Sequence, residues 1–497
     1  MPARSRPLLA AVDLGSNSFH LVVARVAGGS LHVIDRLRER VALAAGLDER
    51  KRLLPDAQRR ALACLARFGQ RIGGLPEGAV RAVGTNTLRQ ASNGREFLQR
   101  AQQALGHPIE VISGQEEARL IYLGVSHATA AHAGRRLVVD VGGGSTECII
   151  GEGFEPRAAD SLFMGCLTWT QRFFEEGAIS RKRMDKAVLA ARLELEPLER
   201  RYRRIGWARA IGSSGTILSI DSVLRDLGWS EAGITRDGLD RLRGAVVAAS
   251  NTDDLALPGL TAERASILPG GLAILLAVFA AFRLRRMAAS SGALREGLLH
   301  DLIGRIRHED VRDAAIDALA DRHRVDLPHA RLVEREVVGL LEQASVPWRL
   351  GERIGEALRW AARLHEVGLA VAHAGQHKHG AYLVQHSHLA GFSRDEQEIL
   401  ATLIRCHRRK LDADVLAAQG AVPAETALRA CVLLRIAALL HRARDPRVEP
   451  RPKLRVRGRR VELRFPRGFL TAHPLTRADL EEEATLLRDA GMRLIVA

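Results

Sequence analysis

Two stretches of the chain share one hydrophobic pattern: an apolar run ending in aspartate, a turn rich in glycine and hydroxyl residues, and a second apolar run. The first climbs from Leu8 to Asp13, turns at Gly15, Ser16, Asn17 and Ser18, and continues from Phe19 to Val26. The second climbs from Leu137 to Asp140, turns at Gly142, Gly143, Gly144, Ser145 and Thr146, and continues through Cys148, Ile149 and Ile150. Apolar runs bounded by turn residues predict β-hairpins. Their recurrence predicts a duplicated α/β architecture with a cleft between two like halves. Between the hairpins, Ala57 to Phe68 has helical periodicity, Ala79 to Val83 and Ile109 to Ile112 read as short strands, and Gln115 to Tyr122 opens a helix. In the second half, Ala208 to Ile211 reads as a strand entering Gly212, Ser213, Ser214, Gly215 and Thr216, with a helix behind it. Leu272 to Phe282 reads as a buried helix, and the turn from Ser290 to Gly297 precedes another.

Beyond Ile306 the pattern becomes helix after helix, and histidines gather: His329, His365, His373, His377, His379, His386, His388 and His407. A proline-punctuated linker from Arg444 to Pro452 then leads to an alternating basic hairpin, Leu454 to Arg457 and Val461 to Phe465, and to a closing helix from about Leu475 to Arg488. Four domains are expected: 1–130, 131–305, an all-α domain over 306–445, and a small basic α+β domain over 446–497.

Composition narrows the partners. The 497 residues carry a formal charge of +16 but only 4% aromatics. The charge points to a polyanion, whether nucleic acid, an anionic membrane surface or a phosphate-rich substrate, or else reflects an arginine-rich composition alone. The scarcity of aromatics weighs against single-stranded nucleic acid, whose binders stack bases on exposed rings. Five scattered cysteines without a CxxC form neither a disulfide framework nor a zinc site, and fit a reducing, cytoplasmic setting. No apolar run approaches the ~18 residues of a membrane span. Peripheral contact through the basic surface stays open.

A strand ending in Asp that runs into a Gly/Ser turn combines two functions. The glycines let backbone N–H groups approach phosphate oxygens, and the carboxylate can hold Mg²⁺ directly or through water. No Gly-Lys-Ser/Thr follows, so neither turn is a P-loop, and the spacing is not that of a dinucleotide fingerprint.

These residues, with Gly84-Thr85-Asn86-Thr87-Leu88-Arg89, Ser113-Gly114-Gln115-Glu116-Glu117, Met164-Gly165-Cys166, Gly212 to Thr216 and Gly292 to Gly297, resemble the Ppx/GppA family of exopolyphosphatases and guanosine pentaphosphate phosphohydrolases. That family lies within the actin/sugar-kinase-like (ribonuclease H-like) superfamily. The resemblance runs through the whole chain and implies Mg²⁺-dependent hydrolysis of a terminal phosphoanhydride, and a homodimer. Ser113 and Glu116 have capping-box spacing, which would engage Glu116 with its own helix terminus and leave Glu117, the family's catalytic position, to activate water.

Asp140, Asp13 and Glu147 form the expected metal and water-positioning set, although Glu147 could be an outward strand residue. Arg89 is expected to grip a phosphate, or else to be a surface helix arginine. The Gly15–Ser18 and Gly142–Thr146 turns would cradle phosphates, and Gly212 to Thr216 would bind phosphate or a base edge. The spacing of His329, His365-Glu366, His386 and His407 is similar to that of HD-type metal phosphohydrolases. Glu366 and Ala438, however, stand where aspartates are expected, so a degenerate HD-like domain with packing histidines is favoured. Arg405, Arg408, Arg409 and Lys410, with Arg455 and Arg457 in the basic run 451–460, could line a polyanion track or be solvated faces. Inorganic polyphosphate is the favoured substrate, guanosine 5′-triphosphate 3′-diphosphate (pppGpp) the alternative, and a monovalent cation such as K⁺ is left open. A phosphotransferase and a nucleotide-gated scaffold are the more distant readings.

Overall fold

The computed structural model describes residues 8–27, 30–129, 134–306, 310–411, 413–418, 420–450 and 452–497, so Arg451 of the basic run lies outside the described residues. The chain divides into two compact units, Met1–Asp310 and Val311–Ala497. The division after Asp310 lies five residues beyond the expected boundary after 305, and none is drawn at the expected boundaries after 130 and 445.

The first unit holds two sheets of like topology. Strands β1 (Leu8–Leu14), β2 (Ser18–Ala27), β3 (Ser30–Arg40), β4 (Val80–Gly84) and β5 (Ile109–Val111) pair in the order β3-β2-β1-β4-β5. Strands β6 (Arg136–Val141), β7 (Thr146–Glu152), β8 (Glu155–Leu162), β9 (Arg209–Ser213), β10 (Ile234–Thr235) and β11 (Arg286–Ala289) pair as β10-β11-β9-β6-β7-β8. Each half opens with an antiparallel hairpin whose first strand then pairs in parallel with a later one. This is the expected duplicated actin/sugar-kinase-like architecture. The two hairpins match in register, Asp13 lying opposite His20 and Asp140 opposite Glu147.

The first strands are apolar almost throughout because both their faces are covered. Ala10, Val12 and Leu14 point into one core, and Leu9 and Ala11 into another. That second core also takes Val138 and Ile149 from the other sheet, so the halves share a buried layer. The layer is filled by helices Gly114–Ala128 and Leu294–Ile306. Their backbones nearly touch: a Cβ on Gly297 would lie 1.9 Å from the Leu120 carbonyl oxygen, and one on Gly124 would lie 2.0 Å from that of Ala293. Glycine is needed at both positions.

In the second unit, helices including Leu327–Trp348, Glu352–Leu364, Arg394–Cys406 and Ala424–Leu440 pack with a three-stranded sheet. That sheet consists of β12 (Lys453–Arg457), β13 (Arg460–Arg464) and β14 (Arg493–Val496). The basic hairpin is present as expected, and β14, which the sequence did not announce, adds in parallel. Val461, Leu463, Leu487 and Met492 join the same core as Trp348 and Leu433, so helices and sheet form one body. Among the described residues no helix is long and apolar enough to cross a membrane.

Candidate active site

The two hairpin turns meet across a cleft of about 140 Å³ in the first unit. It is lined by Asp13, Gly15, Ser16, Asn17, Ser18, Glu117, Asp140, Gly142, Gly143, Gly144, Ser145, Ser214, Gly215 and Thr216. The turns are held face to face by the short helix Asn86–Gln90. Asn86 Nδ2 donates to the Gly144 carbonyl at 2.8 Å, and the Thr87 hydroxyl donates to Ser16 Oγ at 2.8 Å. A Cβ on Gly144 would lie 2.5 Å from that Asn86 nitrogen, so the triple-glycine turn is needed for closeness as well as for exposed N–H groups.

Four carboxylates converge. Asp13 and Asp140 stand one residue before the ends of their strands, Glu117 stands in the first turn of helix Gly114–Ala128, and Glu147 is the second residue of β7. Burial raises Asp13 to about 7, with Arg295 opposing and Glu117 and Asp140 adding to the rise. Burial raises Asp140 to about 6, against a hydrogen bond from Ser213. Burial also raises Glu117, opposed by Arg89. Glu147 is held well above the ordinary range by burial and by the Glu117 and Asp140 charges. Each group is therefore costly to ionise without a countercharge. Asp13 Oδ1 is buried without a hydrogen-bond partner, as is Asn17 Oδ1. An all-oxygen donor set with an orphaned carboxylate oxygen fits a hard divalent cation such as Mg²⁺.

Ser113 Oγ caps the helix by accepting from the Glu116 N–H at 3.1 Å. The Glu116 carboxylate takes both Arg119 nitrogens at 2.7 and 2.8 Å. It is thus committed to a buried charge network that also includes Arg81 and Asp301, while its neighbour Glu117 faces the cleft. Arg89 is placed differently from its expected phosphate grip. It lies behind the lining and donates to Glu117 Oε2 at 2.8 Å and to the Ile112 carbonyl at 3.0 Å. Glu147 likewise stands behind the lining, accepting from Ser161 at 2.8 Å. Gly212, Ser213 and Thr146 support the turns, Ser213 through the Gly292 carbonyl and Thr146 through that of Met164, at 2.8 and 2.6 Å.

Three cationic or polar residues of the cleft carried no role in the sequence reading. His20 and Arg295 touch at 3.2 Å between Nδ1 and Nη1, so His20 accepts as a neutral imidazole. Its pKa is lowered to about 3 by burial and the nearby arginines. Arg264 packs where a Cβ on Gly215 would sit, 2.1 Å from its Nη2. Two of the three lie inside the quoted motifs. Arg264 belongs to none, and only the folded chain brings it to the cleft.

In the second unit Arg408 and Arg409 line one cavity and Arg405, Arg409 and Lys410 another, while Arg455 and Arg457 line neither. His386 is absent from the histidine-lined cavity, which gathers His329, His365, His373 and His407.

Residues 22–306 match the Ppx/GppA phosphatase family, and residues 311–484 match domain III of Ppx/GppA phosphatase. The chain is 41% identical over 495 residues to the guanosine-5′-triphosphate,3′-diphosphate pyrophosphatase of Vibrio cholerae, covering 99% of each chain. It is 38% identical over 490 residues to that of Photobacterium profundum, covering 99% of this chain and 98% of the relative. Among solved structures, an exopolyphosphatase of Cytophaga hutchinsonii is 25% identical with a TM-score of 0.55, over 60% of this chain and 98% of that one. The Aquifex aeolicus PPX-GPPA enzyme is 25% identical with a TM-score of 0.51, over 59% and 98%. The paired glycine turns, the converging carboxylates and these matches agree: the chain belongs to the Ppx/GppA phosphatase family and is a hydrolase of phosphoanhydrides.

Proposed function

We propose that the protein removes the 5′-terminal phosphate of guanosine 5′-triphosphate 3′-diphosphate, giving guanosine 5′-diphosphate 3′-diphosphate and orthophosphate. The observation that carries this choice over polyphosphate is end-to-end similarity, at 38–41% identity, to relatives named for that nucleotide. The likeness to a solved exopolyphosphatase is weaker and covers 60% of the chain.

In this reading the terminal phosphoryl group sits between the Gly15–Ser18 and Gly142–Ser145 turns. Backbone N–H groups and the Ser and Asn side chains hold its equatorial oxygens. Glu117, held by Arg89 through one carboxylate oxygen, keeps the other for a water in line with the phosphorus and accepts its proton as the P–O bond to the leaving group breaks. Its raised pKa makes it a stronger proton acceptor than an exposed glutamate. Asp13 and Asp140 would hold Mg²⁺, with Glu147 behind them. When bound, the ion neutralises charge developing on the leaving phosphate. Arg264 and Arg295 supply positive charge for the remaining phosphates.

The test compares kcat/KM for this nucleotide and for long-chain polyphosphate across a salt series. A preference for the nucleotide of about tenfold or more supports the proposal. A preference for polyphosphate whose binding falls steeply with salt, as counterion release demands, overturns the substrate choice.

A further inference from the structure

The second unit contains a cavity of about 330 Å³ that the proposed hydrolysis does not use. His329, His365 and Glu366 line it, and their ligand atoms all lie within 4.8 Å of one another. His407 adds a third imidazole, its ring centroid 5.5 Å from that of His365, which is itself 5.4 Å from His329. All three histidines are nine-tenths or more buried. This departs from the expectation of independent packing histidines.

The hydrogen bonds decide what the rings can bind. His365 Nδ1 lies 2.8 Å from the Ala362 carbonyl and His407 Nδ1 lies 2.7 Å from that of Ile404. A carbonyl only accepts, so both Nδ1 atoms carry the proton, and a neutral ring then presents an Nε2 lone pair. Backbone carbonyls orient metal-ligating histidines in the same way. Two buried polar atoms on the lining, His329 Nδ1 and Gln376 Oε1, have no hydrogen-bond partner. The cavity thus offers lone pairs where an anion would need donors. Arginines stand at the same cavity: Arg444 holds Glu366 at 2.7 and 2.8 Å, and Arg408 and Arg442 also line it.

We propose that His329, His365 and Glu366, with His407 completing the set, bind a divalent transition-metal ion of the zinc class. Imidazole nitrogens with one carboxylate select such ions over Mg²⁺. His329 Nε2 and Glu366 Oε2 are 3.9 Å apart, close to the separation of about 3.3 Å expected for neighbouring ligands on a tetrahedral zinc. Glu366 would give one oxygen to the metal and keep the other on Arg444. Four protein ligands fill a tetrahedral zinc, and a water or anionic ligand would be taken up only by expansion to five-coordination.

The experiment titrates full-length, chelator-stripped protein with Zn²⁺ by calorimetry and with Co²⁺ by visible absorption. One tight equivalent is expected, with a cobalt d–d band of a four- or five-coordinate nitrogen-containing site. The His329→Gln/His365→Gln double variant should lose that equivalent and the band. Glu366→Gln, which retains an acceptor for Arg444, should weaken binding by about tenfold or more and keeps the test available if the double variant fails to fold. Asp140→Asn in the carboxylate cleft and the exposed pair His386→Gln/His388→Gln should each retain the equivalent. Absence of a cobalt band in the parent protein, unchanged binding in Glu366→Gln, or loss of the equivalent in either retaining variant would overturn the proposal.

Discussion

Replacing Asp301 with asparagine removes a negative charge from a buried charge network of the first unit while keeping the side chain's shape. Asp301 is buried on helix Leu294–Ile306 and bonds Arg81 of β4, Arg119 of the helix that carries Glu117, and Arg305 at 3.0 Å. Arg81 and Arg119 are themselves buried, so the variant leaves their guanidinium charge to be answered by Glu116 and Glu110 among the described residues. Breaking a buried pair of this kind costs about 3–5 kcal/mol. For a unit of this size that corresponds to a fall of roughly 5–10 °C in its unfolding midpoint. Burial alone would raise the Asp301 carboxyl, but Arg81, Arg119 and Arg305 outweigh it and hold the group far below its ordinary value. A depressed carboxylate contributes stability above its unfolded pKa of about 4 and loses it as the pH falls through the folded value. The difference between parent and variant should therefore be constant from about pH 5 to 8 and shrink only below about pH 4. Thermal and urea unfolding followed by circular dichroism across that range measures it. A difference under about 1 kcal/mol at pH 7, or one that shrinks between pH 8 and 6, would mean that the Asp301 charge does not hold the network together. Because the same network holds Glu116, beside Glu117, the variant should also lower kcat more than it raises KM.

Removing the charge of Arg89 as Arg89→Gln leaves burial of Glu117 unopposed, so its pKa rises further; the acid limb of the kcat/KM profile should move to higher pH, and an unmoved limb would argue against Glu117 as the base. Gly297→Ala puts a methyl group 1.9 Å from a backbone oxygen at the crossing of two helices, where no side chain can yield; a loss of about 1–3 kcal/mol in unfolding free energy is expected, and a neutral result would mean that the helices separate easily. Asp13→Asn removes one oxyanion from the expected Mg²⁺ pair, so the Mg²⁺ concentration giving half-maximal activity should rise by about tenfold or more; an unchanged requirement would place the ion elsewhere.

The hairpins were legible because a strand buried on both faces must be apolar throughout, and a turn that approaches another turn must be glycine-rich. Those two constraints marked Asp13, Asp140 and their loops. Two outer strands were not legible: β3 is charged along most of Asp35–Arg40 at a sheet edge, and β8 carries Pro156 and no β-branched residue. Arg89 was recognised as a site residue, but its partner was not, since nothing local says that it reaches Glu117 rather than substrate. The Arg81–Asp301 pair spans 220 positions and has no sequence signal. The histidines were visible as a group, yet which of them converge depends on how three helix ends pack, and that packing excluded His386 while joining His407 to His365.

In the proposed mechanism Glu117, set among buried carboxylates, activates the attacking water. Phosphate release by Glu117→Gln, measured at saturating nucleotide alongside equilibrium binding of the same nucleotide, tests it most directly. A fall in kcat of about 10²–10⁴-fold is expected, with binding within about threefold of the parent. Turnover within tenfold of the parent, with intact folding and binding, would contradict it.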